Sequence, residues 1–165
     1  MNIYWLFLLV FIFIFSCSKQ NNEDTFVTAP INEDYSSIID PYERWQSYNL
    51  NQYSIDEKRW CECFPPNSFT AYIIDNKVQD VDYEISKENY YNRTEDEIED
   101  YTKNAAMTIN KAFSIIEQYR YTAHRLEIDY DSKFGFPSRI FIDIDTLIAD
   151  EEIIREFSNL KRIIN

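Results

Sequence analysis

The sequence predicts an α+β domain in which an antiparallel meander sheet packs against one long and one short helix. Apolar and polar residues alternate along several stretches, which is typical of half-buried β-strands. These stretches come in two groups of three, and each group follows a segment with helical periodicity. The predicted order is therefore a tandem α-βββ repeat.

The first helix is predicted over Pro41–Leu50, because proline suits the first turn of a helix and aromatic residues fall on one side of it. Those residues are Tyr42, Trp45 and either Tyr48 or Tyr53. The first group of strands follows at residues 53–64, 69–75 and 78–84. Prolines at 65 and 66 end the first strand, and Asp75-Asn76-Lys77 has the composition of a turn between the other two.

A long second helix is predicted from a capping box, in which Thr94 is followed three positions later by Glu97. Apolar residues then recur at steps of three and four as far as Tyr119, and a break near 103–107 stays open. The second group of strands follows at residues 126–130, 140–144 and 153–160.

The N-terminus predicts a membrane-anchored lipoprotein. Residues Ile3–Phe15 form an apolar run of signal-peptide length, and the Ser16-Cys17 pair that follows resembles a bacterial lipobox. We therefore expect cleavage of residues 1–16 and acylation of Cys17. Two or three acyl chains together hold a protein permanently on a membrane. An uncleaved anchor, with an ordinary thiol at Cys17, is the alternative.

Residues 17–40 are predicted to be a lipidated, flexible and acidic tether that precedes a single domain at 41–165. Docking of part of this stretch on the domain as an irregular arm is the alternative. The formal net charge of the chain is −13. A surface this acidic repels nucleic-acid phosphates, so we expect no nucleic-acid partner. Contact with the membrane is expected through the acyl chains, and any envelope protein partner should be neutral or basic.

Cys61 and Cys63 are the two thiols that remain when Cys17 carries lipid. The envelope is oxidising, so they form a candidate disulfide. Two strand residues at this spacing have α-carbons about 6.6 Å apart, near the upper limit for a bridge. A strained bridge is easily reduced, which would suit an envelope thiol-redox protein. Two small buried side chains, or a bridge that only stiffens the strand, are the structural alternatives.

The single glycine, Gly135, predicts a tight turn between two strands, where Pro137 opens the second. No metal is expected, although a calcium site built from Asp131, Asp143, Asp145 and Asp150 is an alternative. Alternating aspartates on a strand more often form a solvated face. His124, the only histidine, is interpreted as an exposed turn residue.

Three sequence patterns occur in a fixed order: R-x-C-x-C at 59–63, Y-D-x3-G-x-P-x2-I at 130–140, and A-D-x-E at 149–152. Together they resemble an uncharacterised family of bacterial lipoproteins over about residues 42–160. The resemblance implies the fold and an envelope location, and it implies no activity.

The sequence therefore favours a lipid-anchored envelope protein, periplasmic or surface-facing, that binds a protein or envelope component through one sheet face. No catalytic residues, enzymatic activity or cofactor are expected. The alternative is the thiol-redox protein built on Cys61 and Cys63, and a small hydrolase or metal-binding module is a weaker third. Abundant tyrosine fits either a contact surface or the interface between helices and sheet.

Overall fold

A computed structural model describes residues 26–60, 64, 66–85, 92–145, 147–148 and 151–164. The described residues form one sheet and three helices, which confirms the α+β class. In chain order the elements are β1 (Thr28–Ala29), α1 (Pro41–Ser47), β2 (Gln52–Trp60), β3 (Ser68–Ile74), β4 (Lys77–Asp82), α2 (Glu95–Ala105), α3 (Ile109–Tyr119), β5 (Arg125–Tyr130), β6 (Pro137–Asp143) and β7 (Ile153–Ile163).

The sheet is antiparallel throughout its described pairs, in the order β4-β3-β2-β7-β6-β5. Strands β2–β4 form one meander and β5–β7 form the other. The meanders meet where β2 pairs with β7, and the short β1 pairs with the far end of β7.

The prediction of a tandem repeat is not confirmed by this strand order. Beside the join, β2 is the first strand of its meander, whereas β7 is the last strand of its own. Two meanders related by a two-fold axis through the sheet would instead join equivalent strands. Alternation along the chain predicts where strands lie, but it does not predict which strands become neighbours.

The prediction of one long helix is wrong in its length, because the segment forms two helices of 11 residues each. Thr94 caps α2 through the predicted capping box with Glu97. The chain becomes extended at Ala106, and the Thr108 hydroxyl, which accepts from the Lys111 N–H, then caps α3. Residues 106–108 separate the two helices, at the C-terminal edge of the 103–107 region that was the candidate position for a break.

The core lies between the three helices and one side of the sheet. Asp40 starts α1 by accepting the Glu43 N–H, which turns Trp45 and Tyr48 inward. Trp45 packs edge-on against Tyr53 of β2, with ring centroids 5.5 Å apart. The other fully buried apolar side chains at this interface are Ile55, Ala71, Ile73, Ile109, Ala112, Ile116, Ile140 and Ile142.

Residues 26–39 pack against the domain. Ile31 is buried, the Phe26 ring stacks on Tyr72 with centroids 4.6 Å apart, and Tyr35 packs edge-on against Tyr48. This part of the predicted tether therefore behaves as the docked arm that was the alternative. The signal segment and Cys17 lie outside the described residues. Within the described ranges, no helix has the length and apolar character needed to cross a membrane.

Candidate functional site

One side of the sheet faces away from the helices, and we call it the open face. Its residues alternate along each strand with those that pack into the core. The open face is formed by Arg125, Glu127, Asp129, Arg139, Phe141, Asp143, Ile154, Glu156, Ser158, Asp56, Lys58, Trp60, Ser68, Thr70 and Tyr72.

Three apolar side chains form a continuous row across the open face, which we call the aromatic row. Ile154 pairs with Trp60 on one side and with Phe141 on the other, so the three lie side by side on neighbouring strands. Trp60 is 48% exposed. A tryptophan this accessible, in line with two further apolar side chains, is typical of a contact surface.

Cationic side chains flank both ends of the aromatic row. Lys58 Nζ lies 3.9 Å from the centroid of the Trp60 ring, and the Arg125 and Arg139 guanidinium groups lie 5.1 and 6.0 Å from that of Phe141. Glu127 holds both arginines, accepting from Arg125 Nε at 2.8 Å and pairing with Arg139 Nη1 at 3.8 Å. These contacts orient the charged groups beside the rings while leaving them accessible.

Beyond the aromatic row, the open face is first mixed in charge and then acidic. Paired residues Asp129, Arg139, Glu156 and Lys58 alternate in sign across four strands. Farther along, a shallow depression of about 430 Å³ is lined by carboxylates of Asp56, Asp82 and Glu84. Asp56 Oδ1 accepts from the Thr70 hydroxyl at 2.7 Å. The open face therefore combines an apolar row with a group of carboxylates at its edge, Asp56, Asp82 and Glu84, which we call the acidic strip.

A charged cluster lies on the opposite, helix-covered side of β2, at the junction of α2 and α3. Glu57 is 1% exposed and accepts from Arg155 Nη1 and from the Met107 N–H, the latter at 2.9 Å. Burial raises the pKa of Glu57, whereas the Arg155 guanidinium acts in the opposite direction. Arg155 Nη1 also donates to the Ala105 carbonyl at 3.0 Å. The cluster therefore joins β2 and β7 to the junction of α2 and α3, and its role is structural.

Sequence reasoning missed this cluster, although its signal was present. Glu57 and Arg59 share the parity of Tyr53 and Ile55, so alternation alone places them on the buried side. Arg59 is buried beside Glu57 and donates to the Pro66 carbonyl at 2.7 Å.

The predicted site residues fall into two groups. Cys17, Cys61 and Cys63 lie outside the described residues. Gly135 has a φ of +81° in the turn between β5 and β6, and β6 begins at Pro137.

The acidic residues considered for calcium do not converge where they are described. Asp131 Oδ1 accepts the Lys133 and Phe134 N–H groups of its own turn, at 2.9 and 2.7 Å. Asp145 bonds the Leu147 N–H, and Asp150 lies outside the described residues. Across the part of the chain that the structure describes, no three His, Cys, Asp or Glu side chains are grouped to hold a metal ion. His124 is exposed just before β5.

The fold and its surfaces define a class: an α+β domain with one sheet face covered by helices and the other presenting an aromatic row beside an acidic strip. Residues 39–162 match the family model described as a family of unknown function, DUF6174, so the chain belongs to that family. No curated protein and no solved structure matches the chain.

Proposed function

We propose that this protein is a membrane-anchored lipoprotein of the cell envelope, and that its domain binds a protein partner through the open face. The observation that carries the binding proposal is the aromatic row, where Trp60, Ile154 and Phe141 lie side by side with the tryptophan 48% exposed. Removing such a row from water contributes roughly 25 cal/mol for each Å² of apolar surface, which offsets part of the entropy lost on association.

The anchor is proposed from the apolar run at Ile3–Phe15 and the cysteine that follows it. Acylation of Cys17 leaves ten residues before β1 begins at Thr28. Fully extended, a segment of that length reaches about 35 Å. The anchor therefore holds the domain close to the membrane surface.

The aromatic row lies away from the point where the chain leaves toward the anchor. Phe26 stacks on Tyr72, and Tyr72 pairs with Ser54, which precedes Trp60 by six residues along β2. At about 3.3 Å per strand residue, the row is about 20 Å from that exit. The anchor segment and the aromatic row therefore lie toward opposite ends of β2.

Charge complementarity indicates a partner with basic residues to one side of its apolar contact, away from the cationic ends of the aromatic row. The formal net charge is −13, and Asp56, Asp82 and Glu84 line the depression beside the open face. A basic partner is drawn to this surface over long range, and the aromatic row then supplies the apolar contact.

Radiolabelled palmitate fed to growing cells tests the anchor. We expect label in the wild-type protein and none in a Cys17→Ser variant, because the thioether carries the lipid. An unlabelled wild-type protein would contradict the anchor. Mass measurement of the extracted protein before and after reduction also reports whether Cys61 and Cys63 are bridged. Loss of thiol-exchange activity in a variant with both cysteines replaced by serine that still folds would favour a redox role, whereas loss of stability with binding intact would favour a structural role.

Hydroxyl-radical footprinting tests the open face. We expect Trp60 and Phe141 to be oxidised less in intact envelopes than in the purified domain, because the partner covers them. Tyr121, which is 90% exposed and belongs to no strand, is the matched control and should oxidise equally in both samples. Equal oxidation of Trp60 in the two samples would contradict binding at the open face.

A further inference from the structure

A groove lies between α1 and α3, on the helix side of the molecule and separate from the open face. Its volume is about 920 Å³, at the upper end of the range found for small-molecule sites. The Trp45 indole N–H donates to Asn110 Oδ1 at 2.9 Å and joins the two helices. Gln46 Nε2 donates to the same oxygen at 3.3 Å.

One wall of this groove is aromatic. The Tyr42 ring packs edge-on against Phe113 with centroids 5.0 Å apart, and Phe113 stacks with Tyr130 at 6.2 Å. Tyr42 is 50% exposed, and the neighbouring Ile39 is 91% exposed. All three rings line the groove, and an accessible aromatic ring attracts organic cations.

The charges that line the groove are mostly negative. Carboxylates of Asp40, Glu43 and Glu117 meet a single guanidinium, that of Arg120. Arg120 is already paired with Glu117, its Nε lying 3.0 and 3.1 Å from the two carboxylate oxygens. Glu43 has no ion-pair partner among the described residues. Burial raises the pKa of Tyr130; the Arg120 guanidinium acts in the opposite direction, and the Glu117 and Asp40 charges raise the pKa further.

From these features we infer that the α1–α3 groove binds a basic segment of a partner polypeptide. A lysine or arginine side chain lies against Tyr42 and Tyr130, where Asp40 and Glu43 complement its charge. Side-chain amides of Gln46 and Asn110 offer hydrogen bonds to a peptide backbone, which a simple polyamine lacks. This site goes beyond the open face, because it lies on the other side of the sheet and needs no contribution from it.

The test titrates the ¹⁵N-labelled domain with a blocked Gly-Lys-Lys-Gly peptide and follows the backbone amide signals. We expect shifts confined to residues 40–46 and 110–120, with the signals of 58–60 and 139–141 unmoved. A blocked Gly-Gln-Gln-Gly peptide should leave the spectrum unchanged. Binding should weaken as salt rises, because the Debye length shortens from about 30 Å at 0.01 M to about 8 Å at physiological ionic strength.

Two variants probe the two components of the site. Tyr42→Ala removes an exposed ring, and Glu43→Gln removes a carboxylate without changing shape. Each should weaken peptide binding roughly threefold to fivefold, the size expected of an exposed cation–π contact or ion pair. Tyr121→Ala and Asp100→Asn, an exposed ring and an exposed carboxylate outside the groove, are matched controls that should bind as the wild type does.

Three outcomes would overturn the proposal. Equal binding of the glutamine peptide would remove the role of charge, and shifts spread over the open face would place the contact elsewhere. Equal affinity for spermidine would assign the groove to a free polyamine. Because the readout follows residues 40–46 and 110–120 directly, failure here leaves the footprinting result at Trp60 unaffected.

Discussion

Gly135 is the residue on which the turn between β5 and β6 depends. Its φ is +81°, and a Cβ atom added there would lie 2.3 Å from the Pro41 carbonyl oxygen. The same turn contacts α1 through Arg44, whose Nη1 donates to the Ser132 carbonyl at 2.6 Å. Gly135 therefore meets two requirements, a positive φ in the turn and the absence of a Cβ atom beside Pro41. The sequence predicts only the first.

Gly135→Ala should destabilise the domain by about 1–3 kcal/mol, because the new methyl group meets the start of α1 in a strained backbone conformation. Urea denaturation measures this change. Asn76→Gly is the control: Asn76 has a φ of +59° in the exposed β3–β4 turn, where glycine is accepted. A Gly135→Ala midpoint equal to that of the control would contradict the close approach.

Glu57 illustrates a different kind of residue, a buried charge that is held by a partner. Replacing it with alanine should cost about 3–5 kcal/mol, because Arg155 is left uncompensated and the Met107 N–H loses its acceptor. Glu156→Ala, on the open face of β7, should stay within about 0.5 kcal/mol of the wild type. Both values come from urea denaturation.

A double variant decides how Glu57 acts. Glu57→Leu combined with Arg155→Met removes both charges, so it should be much less destabilised than Glu57→Ala. An equally large loss in the double variant would show that the ion pair is not the reason for the sensitivity of Glu57.

At the scale of elements, hydrogen bonds to two side chains of β2 fix the position of the junction between α2 and α3. The Tyr53 hydroxyl accepts the Ile109 N–H at 3.0 Å, and Glu57 accepts that of Met107 at 2.9 Å. Helix periodicity in the sequence runs through the junction, so the Thr108 cap and these contacts with β2 together decide where α2 ends and α3 begins. Burial raises the pKa of Tyr53, which keeps its hydroxyl neutral.

Tyr53→Phe should leave the buried Ile109 N–H without its acceptor and destabilise the domain by about 1–3 kcal/mol. Hydrogen exchange at the Ile109 amide should accelerate more than exchange at Ile55, which belongs to the sheet ladder. Uniform acceleration across both amides would indicate a global effect and contradict a local hydrogen bond.

The capping box makes a second prediction for α2. Thr94→Ala should cost about 1 kcal/mol, because the Glu97 N–H loses its acceptor. Thr122→Ala, beyond the end of α3, is the control and should be near neutral. Thermal unfolding of both variants measures the difference.

The Thr94 N–H holds the pKa of Glu97 below its ordinary value of 4.5. The contribution of Glu97 to stability is therefore present above pH 4.5 and is lost as pH falls through the lower folded-state pKa. The difference in unfolding free energy between the wild type and Glu97→Gln should therefore shrink as the pH falls. A difference that grows on acidification would contradict the cap.

The strands were predictable from the sequence, and their arrangement was not. Alternation places each of the longer strands within a few residues, because a half-buried strand needs period-two patterning. The join of β2 to β7 depends on residues about a hundred positions apart, such as Glu57 and Phe157, which no local pattern connects. The aromatic row was unpredictable for the same reason, since it exists only across that join.

At the scale of the whole molecule, two surfaces face opposite ways. The open face presents Trp60 and its neighbours, while the helix side carries the α1–α3 groove. The docked arm at 26–39 leaves the sheet near Tyr72, at the end of the open face that is remote from the row. In the proposed lipoprotein, this point of attachment leaves the aromatic row accessible to a partner protein.

The most direct measurement of the central claim is photo-crosslinking in intact cells, with a benzophenone amino acid placed at Trp60 or, as a control, at Tyr121. The account predicts one discrete protein adduct from position 60 that is lost when Phe141→Ala is added, and no such adduct from position 121. Absence of an adduct at 60, or an identical adduct from both positions, would contradict binding at the open face.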